Sequence, residues 1–413
     1  MSLWYYVLVS AEKKRHPFFK SKIAKATAIG AALTTAVVGV KAYEHRELLG
    51  LYADLTLSHI QEPRTIIDFT EQTDPNITRD RKFIDSYNLM NRNFGVDNDL
   101  LLSSEHGWTY ASAWPYGRAI DACYVATLLP NIGDSYKEDY QKRLNAAQRY
   151  WNTDPEGYPP GYDPGLRAWH GGERIQRYVD DNLWIGAMLA RDYRQSGNKD
   201  HLEKAQEIFD LAISQWDEKG GGGIFLKEQL PGETERQKPI VSNGNAIILA
   251  VDLYEQTKDK RYLDWAEKIL KWTDENLKDD SEGIYSDALK VDKLERAKFT
   301  YNQGIMVGAL TKLNGVDPEK YPLKMAFDVA NSALDYFNQR GYDNPSFDSV
   351  FFRGVLYFAG KYDNPEFTQK AHKSLVAITD KLAGGYQELS THASATLFKA
   401  LEILPPDQYK LLL

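Results

Sequence analysis

The chain has 413 residues, of which 43% are hydrophobic and 26% charged, so it can build a large core and lacks the composition of a disordered or collagen-like protein. Fifty Lys and Arg face 58 Asp and Glu, and the formal net charge of -8 argues against a nucleic-acid partner, because phosphate backbones attract basic surfaces. The single cysteine, Cys123, excludes an internal disulfide.

The first 42 residues differ in pattern from the rest. Basic residues between Lys13 and Lys25 precede an uncharged run from Ala26 to Val40, and Ala42 completes a small-residue spacing that signal peptidases read. The run is shorter than the roughly 20 residues of a membrane-spanning helix. We interpret residues 1–42 as an export signal or an uncleaved signal anchor, with a buried helix as the alternative, and residues 43–77 as a lead-in segment.

This interpretation predicts an extracellular or cell-surface location reached by bacterial export, with a cytoplasmic location as the alternative. Contact with a membrane is expected only through such an anchor. The chain offers no signal for its oligomeric state, and a monomer is the default expectation.

From Thr78 onward, apolar residues recur at spacings of three and four in segments separated by Gly, Pro, Asn and Asp. This periodicity predicts about twelve helices in a domain of residues 78–413. In chain order they are residues 78–91, 113–129, 135–151, 175–195, 199–215, 239–256, 260–276, 300–313, 318–339, 345–360, 365–382 and 390–404.

The predicted helices alternate in character. Those that start near Ile175, Pro239, Thr300, Pro345 and Ser390 are apolar on most sides, as buried helices are, whereas those between them carry one apolar stripe and one charged face. Inner and outer helices therefore alternate, which predicts an all-α (α/α)6 toroid with six inner and six outer helices. An open solenoid is the rival, although no fixed-period repeat supports it.

Two longer polar connections, residues 216–235 and 280–298, are predicted to form short hairpins at the rim. The first contains four consecutive glycines, Gly220 to Gly223. Such a run suits either close approach of backbone to a ligand or a flexible connector. It is not a phosphate loop, because no Gly-Lys-Ser/Thr follows it.

The most informative segment runs from Arg177 to Met188 and places Asp180 and Asp181 side by side in an otherwise apolar inner helix. Two like charges in a low-dielectric environment repel each other strongly, so one of the two carboxyls should have a raised pKa. A protonated carboxyl beside an ionised one is the pair that glycoside hydrolysis requires. The alternative is structural: one aspartate caps the helix or pairs with Arg174 or Arg177, and the other faces water.

Several segments in a fixed order resemble glycoside hydrolase family 76, the endo-acting α-1,6-mannanases. Tyr178 to Trp184 matches the Tyr-x-Asp-Asp-Asn-x-Trp-like segment of that family. The further matching segments are Trp114 to Gly117, Gly221 to Ile224, Ser242 to Ile247, Phe299 to Gly304, Phe352 to Gly354 and His392 to Ala395. The resemblance spans roughly Trp108 to Leu404.

The resemblance implies a retaining mechanism that cleaves α-1,6-mannosidic linkages, with Asp180 as nucleophile and Asp181 as general acid/base. It also points to substrate-binding roles for the neighbouring polar and aromatic residues. Aromatic rings can stack on sugar faces or fill the core, and amides can bond hydroxyls in both directions. These candidates are Trp114, Trp184, Asn243, Tyr301, Asn302 and Gln303.

The expected partner is an oligo- or polysaccharide of the α-mannan type, and no cofactor or metal is expected. Ala168 to Arg174 departs from the family pattern, which leaves the exact glycan open. The alternatives are a transglycosylase that acts on cell-surface glycan, a non-catalytic glycan-binding scaffold, and a histidine-dependent epimerase suggested by His170. For the hydrolase we expect a bell-shaped pH profile on the acidic side of neutrality.

Overall fold

The computed structural model describes residues 75–95, 101, 110–153, 159–166, 175–218, 220–234, 236–291, 293–382 and 386–413. Twelve α-helices run through these residues. In chain order they are α1 Pro75–Phe94, α2 Ala113–Thr127, α3 Asp134–Ala146, α4 Val179–Ser196, α5 Lys199–Ser214, α6 Ile240–Thr257, α7 Lys260–Leu277, α8 Thr300–Val316, α9 Leu323–Arg340, α10 Pro345–Ala359, α11 Pro365–Thr379 and α12 Leu389–Ile403.

The even-numbered helices form a closed inner ring. Each of α2, α4, α6, α8, α10 and α12 contacts the next, and α12 contacts α2. The odd-numbered helices pack outside them, and α7 illustrates why: Tyr262, Ala266, Ile269 and Leu270 are buried on one face while charged residues cover the other. The predicted (α/α)6 toroid is confirmed, and the contact between α12 and α2 rules out an open solenoid.

The predicted helix boundaries agree with the observed ones to within a few residues, apart from two starts. Helix α4 begins at Val179 rather than Ile175, because Tyr178 is extended and pairs with Lys227 in an isolated bridge. Helix α9 begins at Leu323 rather than Pro318, after a turn in which the N–H of Tyr321 donates to the carbonyl oxygen of Asp317 at 2.9 Å. In both cases, a residue that the periodicity assigned to the helix instead forms a hydrogen bond outside it.

Short strands form the rim of the described structure. They are β1 Trp151–Asn152, β2 Gly161–Tyr162, β3 Gln237–Pro239, β4 Lys278–Asp279, β5 Ile284–Tyr285, β6 Ala288–Lys290 and β7 Lys293–Glu295. All pairs are antiparallel: β1 with β2, β4 with β5, and β6 between β3 and β7. The hairpin prediction is confirmed for residues 280–298. In the connection of residues 216–235, the described residues form an isolated antiparallel bridge between Trp216 and Ile224 rather than a two-stranded hairpin.

The four-glycine run packs against tryptophans. Gly221, Gly222 and Gly223 have φ values of 81°, 92° and 84°, a conformation that favours glycine. A Cβ at Gly223 would lie 2.4 Å from the ring of Trp272, and one at Gly222 would lie 2.7 Å from Trp216. Backbone conformation and close packing against tryptophans therefore explain the glycines at these positions, without a ligand.

Three inner helices begin with the same hydrogen-bonded brace. In α6, the Asn243 amide donates to the carbonyl oxygens of Pro239 (2.8 Å) and Ile224 (3.2 Å), and its oxygen accepts from the N–H of Ile224 (2.9 Å). Each amide lies four residues after the residue that precedes its helix, and it ties that residue to a rim segment. The other two braces are Asn182 with Tyr178 and Tyr162, and Gln303 with Phe299 and Tyr285.

Several predicted features lie outside the described residues. These are the export segment of residues 1–42, most of the lead-in segment, and the atypical stretch from Ala168 to Arg174. Within the part of the chain that the structure describes, no helix is both long enough and apolar enough to cross a membrane.

We expect Asn243→Ala to lower the free energy of unfolding by about 3 kcal/mol, because it leaves buried backbone groups of α6 and the rim without partners. Urea denaturation followed by circular dichroism measures this change. Gln339→Ala, which removes an exposed amide in the last turn of α9, serves as the control and should cost less than about 0.5 kcal/mol. Equal effects of the two substitutions would contradict the bracing role.

Candidate active site

Asp180 and Asp181 occupy the second and third positions of α4, at the rim end of the inner ring. The preceding residue, Tyr178, is extended, and the N–H of Val179 donates to the carbonyl oxygen of Leu226 at 2.8 Å. This bond anchors the start of the helix to the rim. Both aspartates remain partly exposed, whereas Asn182 and Leu183 behind them are buried.

The surroundings of the two carboxyls disfavour their ionised forms. Burial raises the pKa of Asp180 to about 7, although the backbone N–H groups of Asp180 and Asp181 partly oppose this shift. Burial raises the pKa of Asp181 well above its usual range; the negative charge of Asp180 adds to the shift, and Arg118 opposes it. The surroundings therefore favour keeping a proton on the pair, and the charge of Asp180 adds to this effect at Asp181.

Neither aspartate forms an ion pair within the described residues. Arg177, a candidate partner in the structural alternative, instead forms a buried salt bridge with Glu228 at 2.5 Å. The Oδ1 atom of Asp180 is buried and has no hydrogen-bond partner. Arg174, the other candidate partner, lies outside the described residues. The geometry thus leaves the pair available for chemistry.

Two of the predicted aromatic residues lie beside the pair. Trp184 is on the same face of α4, one turn after Asp180 and Asp181, and is only 4% exposed. The ring of Trp114 on α2 is partly exposed, and its centroid lies 6.0 Å from that of Trp184. Trp114 can therefore meet a ligand, whereas Trp184 forms the floor beneath the carboxyls.

A third carboxyl, Asp287, joins the site through α8. Its Oδ1 accepts from the Tyr301 hydroxyl at 3.2 Å and from the Asn302 amide at 2.9 Å. Burial, the charge of Asp287 and the charge of Asp180 raise the pKa of Tyr301, so Tyr301 lies within electrostatic reach of both carboxyls. Sequence reasoning missed Asp287, although it lies within the predicted rim hairpin of residues 280–298.

The structure corrects two of the predicted substrate contacts. Asn243 and Gln303 are fully buried, and the donor and acceptor ends of both amides are bonded to backbone. These two residues hold rim segments in place rather than presenting polar groups to a ligand. The physical reason is that each amide provides hydrogen-bond partners for buried backbone groups at a helix end and in the rim, which would otherwise have none.

The described histidines do not converge on this site. His201, His372 and His392 contact, respectively, the carboxylate of Asp192, the carbonyl oxygen of Glu402 and that of Ser86. His106 and His170 lie outside the described residues. The described residues also contain no group of three or more His, Cys, Asp and Glu side chains placed to hold a metal ion. The geometry therefore does not favour the epimerase alternative.

A cavity of about 850 Å³ lies at the opposite end of the ring from the aspartates. It is lined by the carboxyl ends of α10 and α12 and by the chain beyond them, including Gly360, Tyr362, Leu404 and Tyr409. Because the inner helices all begin at the rim end, this cavity does not contain the acidic pair. The candidate active site is therefore located by its acidic pair, at the amino ends of α4 and α8.

A closed (α/α)6 ring that presents two desolvated carboxyls at the amino end of an inner helix defines a glycosidase of the toroid class. A family model described as "Glycosyl hydrolase family 76" matches residues 106–388, more than half of the chain. The chain belongs to this family.

Individual relatives agree with this assignment. The "Meiotically up-regulated gene 191 protein" of Schizosaccharomyces pombe is 29% identical over 281 residues, covering 60% of this chain and 61% of that protein. "Mannan endo-1,6-alpha-mannosidase DCW1" of Saccharomyces cerevisiae is 30% identical over 219 residues, covering 50% of this chain and 45% of that protein. The matched region thus spans less than two thirds of either relative.

A solved structure from Salegentibacter sp. HEL1_6 has the same fold. It is an inactive variant of the α-1,6-mannanase GH76A in which two consecutive aspartates are replaced by alanine, in complex with α-1,6-mannotetrose. The TM-score is 0.63 at 19% sequence identity, and the superposition covers 80% of this chain and 99% of that one.

We expect Asp181→Asn to raise the free energy of unfolding at pH 7.5 by about 1 kcal/mol, since each unit of pKa shift corresponds to about 1.4 kcal/mol and the side chain is partly solvated. A carboxyl whose pKa is raised by folding costs stability as the pH rises above its unfolded value, and it costs nothing below that value. The gain should therefore vanish near pH 4.

Chemical denaturation at the two pH values tests this expectation. Asp200→Asn is the matched control, since Asp200 occupies the second position of α5 but is exposed, and its effect should stay within about 0.5 kcal/mol. A pH-independent effect of Asp181→Asn would argue against desolvation of the pair.

Proposed function

We propose that this protein is a retaining endo-α-1,6-mannanase that uses Asp180 as the nucleophile and Asp181 as the general acid/base. The adjacent, desolvated carboxyls at the start of α4 are the observation that carries the proposal. Membership of glycosyl hydrolase family 76 supports the reaction class. The printed activity of the yeast relative and the mannotetrose bound to the Salegentibacter enzyme support the α-1,6-mannan substrate.

In the first step, Asp181 donates its proton to the glycosidic oxygen as the bond from this oxygen to the anomeric carbon breaks. A carboxylate oxygen of Asp180 bonds to the anomeric carbon from the opposite face and forms a mannosyl ester. The shortened glycan leaves with the proton. The ester neutralises Asp180, which relieves the repulsion that kept Asp181 protonated.

In the second step, the Asp181 carboxylate accepts a proton from water. The water oxygen bonds to the anomeric carbon, and the ester bond to Asp180 breaks. Two displacements on opposite faces return the original anomeric configuration. Both carboxyls regain their starting protonation states, so no further proton donor is required.

The unequal environments of the two carboxyls support this division of roles. Both pKa values are raised by burial, and the Asp181 value is raised further by the charge of Asp180. The member that holds its proton more tightly suits the acid, and the other suits the nucleophile. The first-turn position in α4 also favours a developing carboxylate, because the helix amino end is electropositive.

Around the pair, partly exposed Trp114 offers a flat face for a sugar ring, and Tyr301 with Asp287 offers polar atoms for sugar hydroxyls. Asn302 is fully buried, so the structure corrects its predicted substrate contact: its amide holds the Asp287 carboxyl. An enzyme that acts on a mannan polymer must be located where the polymer is. The predicted extracellular or cell-surface location is consistent with a cell-surface mannan as substrate.

We expect Asp180→Asn and Asp181→Asn each to reduce kcat on linear α-1,6-mannan by at least about a thousandfold while mannotetrose binding is retained. Reducing-end release measures turnover, and calorimetry measures binding. NMR of the fresh products should give the α anomer first. Initial β anomer would contradict the retaining mechanism, and products longer than the substrate with added acceptor would favour the transglycosylase.

For the wild-type protein, we expect a bell-shaped dependence of kcat/KM on pH. Activity should rise as Asp180 loses its proton and fall as Asp181 loses its proton. The two apparent pKa values of this profile belong to the pair rather than to either residue. Because both pKa values are raised, the maximum should lie nearer to neutrality than the sequence alone suggested. Initial rates between pH 4 and 10 test this, and a maximum near pH 4 would contradict it.

A further inference from the structure

Beneath the acidic pair, three arginines surround one aspartate. Asp121 on α2 lies 2.7 Å from the Nη2 atom of Arg118, 2.5 Å from the Nη1 atom of Arg353 and 3.4 Å from the Nη2 atom of Arg191. All four side chains are at most 4% exposed. Although burial opposes ionisation, the three guanidinium groups hold the pKa of Asp121 below its usual range. Three positive charges therefore face one negative charge in this cluster.

Arg118 is the least compensated member of this cluster. Its Nε, Nη1 and Nη2 atoms are buried and make no hydrogen bond, although Nη2 lies close to Asp121. Burial lowers its pKa to about 10, and Arg353 and Arg191 add to the shift by repulsion. Without Arg118, Asp121 would still have Arg353 and Arg191 as ion-pair partners, so neutralising Asp121 does not require this third cation.

The position of Arg118 connects it to the acidic pair. Its guanidinium carbon lies 4.5 Å from the ring centroid of Trp114 and 4.7 Å from that of Trp184, so the cation contacts both indoles. Trp184 is one helical turn from Asp181 on the same face of α4. Arg118 and Asp181 also interact electrostatically, each favouring the charged form of the other.

We propose that Arg118 is a positioning residue for the acid/base: its buried positive charge, held against Trp114 and Trp184, stabilises the carboxylate form of Asp181. This inference rests on the proposed function. Arg118 touches neither the sugar nor the reacting atoms in this proposal. It acts through Asp181, which must give up a proton in the first step and regain one in the second.

Other charged groups near the pair have different effects. Asp180, on α4 itself, opposes ionisation of Asp181, and Tyr301 faces Asp180 from α8. From α10, Arg353 is directed at Asp121 and lies 5.5 Å from the Trp184 centroid. Arg118 is the cation that acts directly on Asp181 among the described residues. In the second step Asp180 is esterified and uncharged, but desolvation still disfavours the Asp181 carboxylate, and Arg118 offsets this effect.

The test compares three substitutions at Arg118 with one matched control. Arg118→Met and Arg118→Gln remove the charge, Arg118→Lys retains it, and Arg191→Met removes a charge from the same aspartate without touching either tryptophan. Arg191 instead stacks on Tyr124, with its guanidinium carbon 3.6 Å from that ring centroid. The measurements are the pH profile of kcat/KM on α-1,6-mannan and the thermal midpoint of each variant.

We expect Arg118→Met and Arg118→Gln to shift the alkaline limb of the profile upward by about one pH unit, since removing a nearby opposite charge raises an acid's pKa. Arg118→Lys should restore most of the wild-type limb. Arg191→Met should move it by less than about a third of that shift, because the field falls with distance. The thermal midpoint of Arg118→Met should stay well above the assay temperature, because Asp121 keeps Arg353 and Arg191 as partners.

A second measurement separates this inference from the proposed function. Titration of ¹³C-labelled aspartate carboxyls by NMR without substrate, with Asp181→Asn to assign the signal, reports the protonation of Asp181 directly. A raised Asp181 titration in Arg118→Met supports the inference even if the wild type does not cleave mannan. The inference is overturned if the folded neutral variants keep the wild-type titration and profile, or if neither neutral variant folds.

Discussion

The site depends on a conflict between solvation and charge at the amino end of α4. Two neighbouring carboxyls require water or cations to ionise together, and burial removes much of the water. In the proposed mechanism, this conflict is resolved by a proton held on one of them. The acid and the nucleophile of that mechanism then come from two adjacent residues.

The toroid makes this arrangement possible by turning the amino ends of its inner helices toward one rim. Helix amino ends offer unpaired N–H groups, and in this fold buried amides occupy comparable places in α4, α6 and α8. Asn182, Asn243 and Gln303 each tie a helix start to a rim segment. The polar side chains near the aspartates thus divide into those that hold rim segments in place and those, such as Tyr301, that interact with the acidic pair.

Below the rim, the ring interior carries an excess of positive charge around Asp121. Aromatic faces of Trp114, Trp184 and Tyr124 accept the guanidinium groups that carboxylates do not neutralise. Such a cluster costs stability because cations are removed from water. In its proposed role, Arg118 offsets part of the desolvation that Asp181 would otherwise meet.

The amino-acid sequence by itself determined the helices, their alternation between inner and outer layers, and the unusual aspartate pair, because apolar periodicity and local motifs are properties of consecutive residues. The resemblance to glycoside hydrolase family 76, rather than periodicity, pointed to Trp114 and Tyr301 as members of the site. The partners of Asn243 and Gln303, the addition of Asp287 and the gathering of Arg118, Arg191 and Arg353 around Asp121 were decided only by the tertiary structure. These contacts join residues far apart in the chain, and ring closure, rather than any local pattern, brings them within hydrogen-bond and ion-pair distance.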